Sequence, residues 1–433
     1  GLLGDPPLAR LLSDSAELRA MMLVEGALAN AQAQLGVIPS DAAEAINRAA
    51  REAEIDPGSL KKTTAKDGLI VPGFVAAFRN QIGDPELAAF LHHGATSQDI
   101  LDTGLALRLR QILALLEERL SQVLVGAAQQ ALAHKGTVMA TRTRGQVAMP
   151  STFGAKIAQW SAPFLDHKTE LDILRPRLLV AHLHGAAGTS AALTPAAEVR
   201  AAFATELGLQ ASTIATHSNR ASLVALGHWL ARVASTCGKI GRDLLLLAQS
   251  ELHEVTVGEG GASSTMPHKT NPVLAEMLVT LGQYARTQAA GLAQAQDNAH
   301  ERDGSAWTLE WMLLPGLIRA TGASLNLTQK AFDTMTADPK AMGHTLDALK
   351  GLTQAESAVF VLAEHMPRPE AQSLVKAACK EAVTSQAHLA QVLAAQSPVV
   401  LDWEEILSPK NAIGDAEAQV EAFCALVEAL KGS

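Results

Sequence analysis

Apolar residues recur at alternating spacings of three and four over two long stretches of the chain. The more regular stretch contains Leu223, Leu226, Leu230, Val233, Cys237, Ile240, Leu244 and Leu247, and the other contains Leu109, Leu113, Leu116, Leu120, Val123 and Ala127. This spacing is typical of a helix that buries one stripe of side chains, and helices of this kind pack side by side in bundles. We therefore predict long helices over 222–254 and from 105 onward, with others over about 273–296 and 307–335.

Shorter helices are predicted on both sides of this bundle. Near the N-terminus, Asp14 and Glu17 have the spacing of a capping box, an apolar stripe follows them, and Gly36 and Pro39 end the helix. The segment DPKAMGH at 338–344 is predicted to be a loop. The pattern thus predicts an all-α protein with three domains: an N-terminal helical domain over 1–104, a central long-helix bundle over 105–345 and a C-terminal helical domain over 346–433.

Composition supports the helical prediction and narrows the function. Of the 433 residues, 48% are hydrophobic but only 3% are aromatic, which favours helices over strands. A net charge of -9 without a Lys/Arg cluster argues against a nucleic-acid partner. No apolar run approaches the ~20 residues needed to cross a bilayer, so no membrane partner is expected. Three cysteines and no signal-peptide pattern lead us to expect a cytoplasmic protein.

One stretch, GEGGASSTMPHKTNP at 258–272, breaks the helical pattern between two long helices. Its three glycines and two prolines predict a loop. It lacks the Walker spacing, and no predicted strand precedes it as a dinucleotide-binding turn requires. Two interpretations are open at this point. The loop is either a plain connection between helices or an active-site flap that carries hydroxyl, amide and ammonium groups.

Three segments together resemble the signature motifs of the fumarase/aspartase superfamily. SSTMPHKTNP is similar to GSSxMPxKxNP, with Ala262 at the leading glycine. HHGATSQDILDT at 92–103 is similar to HxGxTSxDxxDT, and TRTRGQVAMP at 141–150 is similar to RTHxQxAxP. HERDGSAWTLEWMLLP at 300–315 more specifically resembles the bacterial 3-carboxy-cis,cis-muconate cycloisomerases. The resemblance implies a three-domain fumarase/aspartase-like fold and a homotetramer whose active sites combine motifs from different subunits.

The chain departs from the lyase pattern at two positions. Arg144 stands where the lyases have the histidine that serves as, or orients, the general acid, and Lys66 stands beside Asp67 where a second histidine is expected. Arginine and lysine are poor proton donors near neutral pH. A lyase that must protonate a departing amine would therefore lose its acid. We predict that Glu276, whose family counterpart partners the missing histidine, pairs with Arg144.

The resemblance also assigns roles to individual residues. It makes Ser263 the proton-transfer residue, and Lys269 and Asn271 the groups that hold an enolate-like intermediate. The positions assigned to substrate binding are Thr96, Ser97, Arg144, Gln146, Ser264 and Arg302. It implies no cofactor, and the lack of HExxH and CxxC spacings leads us to expect no metal site.

Structural alternatives stay open for several of these positions. Ser264 is equally suited to bonding the backbone of its own loop, and Arg302 to pairing with its acidic neighbours. His217 and Arg220, in THSNRAS, fit a solvated helix start as well as a substrate contact. Two aromatic residues, four positions apart, are interpreted as core: Trp307 and Trp311.

The predicted function is an intramolecular lyase that converts 3-carboxy-cis,cis-muconate to 4-carboxymuconolactone in protocatechuate catabolism. There the substrate's own carboxylate attacks a conjugated double bond, so the enzyme need only transfer a proton at carbon. A tricarboxylate also accounts for extra cations around the site. The alternative is an adenylosuccinate-type lyase that releases fumarate. A silent structural protein on the same fold is a third interpretation, which the intact Ser263, Lys269 and Asn271 disfavour.

Overall fold

The computed structural model of the protein describes residues 2–262, 265–266 and 269–430. Helices make up most of this part of the chain. Their bounds are α1 Pro6–Leu11, α2 Asp14–Gln34, α3 Ser40–Glu52, α4 Lys61–Asp67, α5 Val71–Ile82, α6 Pro85–Ala88, α7 Ser97–Ala133, α8 Phe153–Ser161, α9 Pro163–Leu178, α10 Ala196–Leu207, α11 Ala221–Leu247, α12 Val273–Gln294, α13 Gly304–Thr334, α14 Pro339–Asp347, α15 Ala355–Ala363, α16 Arg368–Ser385, α17 Leu389–Gln396, α18 Trp403–Ile406 and α19 Ala416–Ala429.

Strands are few and short in the described residues, and each pairs with one partner. Their bounds are β1 Val138–Thr143, β2 Gln146–Thr152, β3 Val180–Ala181, β4 Gln210–Ala211, β5 Val255–Thr256, β6 Gly261–Ala262, β7 Thr270–Asn271 and β8 Thr336–Ala337. β1 and β2 form an antiparallel hairpin, β3 pairs with β4 in parallel, and β5 with β8 and β6 with β7 pair antiparallel. The hairpin is not predicted by the helical pattern of the sequence.

The chain divides into two compact units. Unit 1 comprises residues 1–119, 167–235 and 281–325, and unit 2 comprises residues 120–166, 236–280 and 326–433. The long helices α7, α11, α12 and α13 each contribute residues to both units. The predicted domain limits at 104 and 345 describe a different division and stay a prediction.

The heptad-like stripe of α11 is buried as predicted except at its first residue, Leu223, which is half-buried. Leu226, Leu230, Val233, Cys237, Ile240 and Leu244 have no exposed surface. In unit 2, α12 packs closely against the stripe because Gly241 carries no side chain: a Cβ there would lie 2.7 Å from the Ala275 carbonyl oxygen. The all-α prediction is confirmed, with α11 ending at Leu247 rather than at 254.

Each unit has a hydrophobic core in which helices of the described chain pack. In unit 1, α2, α3, α5 and α10 bury Leu28, Ile46, Phe74, Phe78 and Phe203, none more than 1% exposed. In unit 2, α15, α16 and α17 enclose a separate core with Leu362, Val375, Leu393 and Trp403. None of the described helices is both long enough and apolar enough to span a bilayer.

Two local predictions are wrong. Helix α2 is capped by Ser13 rather than by Asp14, since the Ser13 hydroxyl accepts a hydrogen bond from the Ala16 N–H at 3.3 Å. The predicted loop at 338–344 is mostly helix α14, which Asp338 caps by accepting from the N–H of Lys340 at 2.9 Å. An Asp-Pro pair is typical of a turn, but it also suits a helix start. Aspartate is a good N-cap, and backbone N–H groups in the first turn have no partner within the helix, so the missing N–H of proline costs no hydrogen bond there.

Candidate active site

In unit 1, the carboxylate of Asp99 joins three segments of chain. Asp99 is fully buried and lies in the first turn of α7. It accepts hydrogen bonds from the backbone N–H of Thr96 at 3.0 Å, and of His184 and Gly185 at 2.9 Å each. A fourth bond comes from His217 Nε2 at 2.9 Å. This carboxylate thus holds the half-buried Thr96 and Ser97 at the N-terminus of α7, where the helix dipole favours an anion.

Arg302 reaches the same cluster. Its Nε donates to Gln98 Oε1 at 2.8 Å, and its Nη2 lies 3.5 Å from His217 Nδ1. Gln98 in turn donates to the backbone carbonyl of His217 at 2.8 Å. The alternative in which Arg302 pairs with Glu301 or Asp303 is not found in the described residues. Three of the substrate-binding candidates, Thr96, Ser97 and Arg302, therefore lie in or beside one network.

Arg220 has a different role, because two carboxylates surround it. Its guanidinium is buried and bonds to Asp102 at 2.6 Å and to Glu310 at 2.7 Å. Burial alone would raise the pKa of Asp102, but the charge and hydrogen bonds of Arg220, together with the nearby His182 and His217, outweigh burial and hold that pKa below its usual range. Burial raises the pKa of Glu310 despite its bond to Arg220. Neither His217 nor Arg220 is part of a solvated helix start, since both are buried in hydrogen-bonded networks.

Beside Arg220, unit 1 contains a cavity of about 530 Å³. Trp307 and Trp311 form part of its wall, with ring centroids 4.8 Å apart. Trp307 is 6% exposed and also packs in the core of unit 1, whereas Trp311 is 38% exposed. Core placement is therefore correct for Trp307 and wrong for Trp311. The end of α4, where Lys66 is exposed, contributes Thr64 and Ala65 to the same cavity.

The neighbouring histidines are held by protein groups. His92 Nδ1 lies 2.6 Å from Glu25, His182 Nδ1 2.6 Å from the Thr216 hydroxyl, and His184 Nε2 2.7 Å from the Ser212 hydroxyl. Within the described part of the chain, no group of three or more His, Cys, Asp or Glu side chains is arranged to hold a metal ion.

His184 is expected to make stability depend on pH. Burial, helped by Arg200, lowers the pKa of His184 from 6.5 to about 4. The unfolded chain therefore binds the proton first, and stability that is complete above pH 6.5 is lost as the pH falls toward 4. A shift of this size corresponds to at most about 3 kcal/mol, because solvent screens part of it.

The variant His184→Gln keeps a donor for Ser212 but cannot take up a proton. We expect wild type to exceed this variant in unfolding free energy at pH 7, and the difference to shrink between pH 6.5 and pH 4. Urea unfolding at a series of pH values measures it. A difference that stays constant with pH would contradict this account.

In unit 2, the hairpin of β1 and β2 carries Arg144 and Gln146. Thr143 pairs with Gln146, so Arg144 and Gly145 form a two-residue turn. Both have positive φ, 52° for Arg144 and 80° for Gly145, as a type I′ turn requires. Arg144 and Gln146 are exposed. The turn thus exposes Arg144, the residue that the motif resemblance aligns with the lyase histidine.

A buried ion pair that the sequence motifs do not indicate anchors this hairpin. Arg142 on β1 bonds Glu254 twice, at 2.7 and 3.1 Å, and the Thr345 hydroxyl donates to the same carboxylate at 2.8 Å. Glu254 is fully buried. The next residue, Val255, begins β5, which pairs with β8. Sequence spacing gives no signal for this contact, because Arg142 and Glu254 are 112 positions apart.

The ends of the glycine-rich loop are paired in unit 2. Gly261 lies opposite Asn271, and Ala262 opposite Thr270. Gly260 has a φ of 71°, and a Cβ there would lie 2.0 Å from Thr270 Cγ2, so only glycine fits. Lys269 is exposed and Asn271 is half-buried. The remaining candidates of this loop, Ser263 and Ser264, lie outside the described residues.

The predicted pairing of Glu276 with Arg144 is not found. Both residues are described, and no ion pair joins them within the described chain, where Arg142 rather than Arg144 binds a buried carboxylate. Arg144 therefore keeps its positive charge free of a carboxylate among the described residues.

Arg144→Gly is expected to stabilise the protein and weaken substrate binding. Glycine adopts the positive φ of position 144 readily, so the free energy of unfolding should rise by about 0.5 to 1 kcal/mol. Loss of the guanidinium should raise KM for a carboxylate substrate by about tenfold or more. Urea unfolding and steady-state kinetics measure the two effects.

His253→Gly is the matched control, because His253 is also exposed and has a φ of 50°. It should gain stability to a similar degree while KM stays unchanged. An unchanged KM in Arg144→Gly would remove Arg144 from the substrate site.

Two family models match most of the chain, and several known proteins are similar to it over almost its whole length. A family model described as lyase matches residues 5–285, and one described as adenylosuccinate lyase C-terminus matches residues 351–423. The 3-carboxy-cis,cis-muconate cycloisomerase of Pseudomonas aeruginosa is 38% identical over 435 residues, which cover 98% of this chain and 95% of the relative. A nitrosuccinate lyase of Streptomyces davaonensis is 34% identical over 434 residues, covering 96% and 91%.

A solved structure confirms the fold. The 3-carboxy-cis,cis-muconate lactonizing enzyme from Pseudomonas putida superposes with a TM-score of 0.94 at 35% identity, covering 99% of this chain and 98% of that one. The resemblance drawn from the sequence motifs is therefore confirmed. The chain belongs to the lyase family of the fumarase/aspartase superfamily, in the group that includes the 3-carboxy-cis,cis-muconate cycloisomerases.

Proposed function

We propose that the protein is a 3-carboxy-cis,cis-muconate cycloisomerase, which closes 4-carboxymuconolactone by adding a substrate carboxylate to a conjugated double bond. The observation that carries the proposal is Arg144, an exposed cation at a hairpin turn in the place of the lyase histidine. In lactone closure the attacking group is already an anion, and in the reverse direction a carboxylate departs without taking a proton. An arginine there binds a carboxylate and need not act as an acid.

The loop residues supply the proton transfer at carbon. Ser263 is the proton-transfer residue, and its weak hydroxyl needs stabilisation as an alkoxide by nearby cations and N–H groups. Lys269 and Asn271 hold the negative charge of the enolate-like intermediate. Thr96, Ser97, Gln146, Ser264 and Arg302, with Arg144, bind the substrate carboxylates.

The enzyme acts as a homotetramer with shared active sites, in the cytoplasm, on a small tricarboxylate and without a cofactor. A groove of about 750 Å³ in unit 1 supports oligomerisation, because its walls include the apolar side chains of Leu174, Ala231 and Ala289. Ile173 in the same groove is 56% exposed. A second copy of the chain would cover this apolar surface. Sedimentation equilibrium tests the tetramer.

Ultraviolet absorbance tests the reaction directly. Enzymatically prepared 3-carboxy-cis,cis-muconate should lose its conjugated diene absorbance and give the lactone when the protein is added. Parallel assays follow fumarate release from adenylosuccinate and argininosuccinate. Fumarate release without diene loss would overturn the proposal.

An adenylosuccinate-type lyase is the second candidate, favoured by the family match at 351–423. Its departing amine must be protonated. The exposed Arg144 and Lys66 stand at the two positions where the lyases have histidines, and neither residue type is an effective acid at neutral pH. An adenylosuccinate-type lyase would therefore need a proton donor other than the residues at these two motif positions.

A further inference from the structure

Arg302 is held by different groups from the ion-paired arginines of unit 1. Arg220 is bound by Asp102 and Glu310, and the pairs Arg119–Asp5, Arg175–Glu117 and Arg232–Glu170 each include a carboxylate. Arg302 is instead held by the Gln98 amide oxygen and by His217 Nδ1. In the described chain it has no ion pair with a carboxylate. Its position is fixed while its charge is not cancelled.

The hydrogen bond to Asp99 determines which ring nitrogen of His217 lies next to Arg302. A carboxylate accepts hydrogen bonds, so His217 Nε2 carries the proton that it donates to Asp99 Oδ1 at 2.9 Å. In the neutral ring Nδ1 is then the acceptor, and this is the atom 3.5 Å from Arg302 Nη2. The opposite tautomer would point an N–H at the guanidinium. The Asp99 bond thus fixes the ring orientation that places Nδ1 next to Arg302.

Gln98 is the stronger support. It is 1% exposed, and both ends of its amide are used: Nε2 bonds the His217 carbonyl oxygen and Oε1 accepts from Arg302 Nε, each at 2.8 Å. These bonds occupy the inner edge of the guanidinium. Arg302 itself is half-buried and stands beside the network that holds Thr96. A planar guanidinium fixed in this way presents its remaining N–H groups to a carboxylate.

We propose that Gln98 and His217, the latter oriented by Asp99, are positioning residues that hold Arg302, uncompensated in charge, for a carboxylate of the substrate. The proposal rests on the proposed function for the identity of that substrate. The proposal gives a role to Gln98 and His217, two buried polar residues that take no direct part in the proposed reaction.

Three variants test the arrangement. Gln98→Leu removes both amide bonds and should raise KM about tenfold, the factor for one lost hydrogen bond to a charged group. Gln98→Glu still holds the guanidinium but cancels its charge, and it should raise KM at least as much. His217→Gln keeps a donor for Asp99 and loses the Nδ1 acceptor, with a smaller rise of about threefold. In all three variants kcat should stay within about threefold of the wild-type value. The reason is that Arg302 binds the substrate carboxylate equally well in the ground state and in the transition state.

Gln32→Leu is the matched control. Gln32 is also 1% exposed and donates its Nε2 to a backbone carbonyl, that of His93, at 2.8 Å, but it holds no arginine. This variant should lose stability without a change in KM. Gln98→Glu separates charge from structure, since a merely structural role for Gln98 predicts no change when a side chain of equal size keeps the bond to Arg302.

Isothermal titration calorimetry with propane-1,2,3-tricarboxylate tests the positioning role separately from the proposed function, because binding of this compound does not require turnover. Weaker binding in both Gln98 variants but not in Gln32→Leu supports the positioning role. If that pattern appears while wild type leaves 3-carboxy-cis,cis-muconate unchanged, the proposed function is wrong and the positioning role stands. Unchanged affinity in Gln98→Glu, or no binding to wild type at millimolar concentration, overturns the positioning role.

Discussion

Ser263→Ala is expected to lower turnover of 3-carboxy-cis,cis-muconate by a factor of about 10² to 10⁴, the contribution of a positioned proton-transfer group. The expectation follows from the place of Ser263 in the SSTMPHKTNP motif. Substrate binding should change little, since the carboxylate-binding residues remain. Loss of diene absorbance measures kcat, and sedimentation shows whether the oligomer is intact.

Ser250→Ala serves as the control for this experiment. Ser250 is an exposed serine in the same unit, and it precedes the glycine-rich loop. Its substitution should leave kcat and the oligomer unchanged. Retained turnover in Ser263→Ala would remove this serine from the mechanism, whereas loss of both turnover and oligomer would point to a structural role.

Arg220→Met is expected to cost about 3 to 5 kcal/mol of unfolding free energy, because it leaves two buried carboxylates without their cation. Asp102 and Glu310 are 6% and 3% exposed, so water cannot replace the lost charge. The cost should be larger at pH 8 than at pH 5. Without Arg220 both buried carboxyl groups take up protons more readily, and protonation relieves the penalty of the buried charges as the pH falls.

Lys135→Met is the surface counterpart of this variant. Lys135 also pairs with two carboxylates, those of Glu417 and Glu421, but their side chains are 48% and 62% exposed. Its loss should cost much less than the loss of Arg220, because water replaces the lost contacts. Urea unfolding of both variants at the two pH values gives the comparison. Equal costs for Arg220→Met and Lys135→Met would show that burial does not determine the strength of these pairs.

The helices were predictable because their determinants are local. The 3-4 spacing in α11 predicts a helix with one buried face, whatever the position of that helix in the fold. The stripe is indeed buried from Leu226 to Leu244. The family motifs were equally readable, since they are contiguous. Short-range choices were less certain. Ser13 and Asp14 are both good caps, and Asp338 with Pro339 suits a turn as well as a helix start, so local preference alone does not decide between them.

The contacts that shape the site were not predictable from spacing. Arg302 and Gln98 are 204 positions apart, Arg220 and Asp102 118, and Arg142 and Glu254 112. Nothing in the sequence distinguishes the arginine that two carboxylates neutralise from the one that an amide supports. The sequence alone determined the helical class, the family and the candidate residues, since periodicity and motifs are properties of neighbouring positions. Only the tertiary structure decided which charges are cancelled and which stay available, because a charge is set by its partners in space.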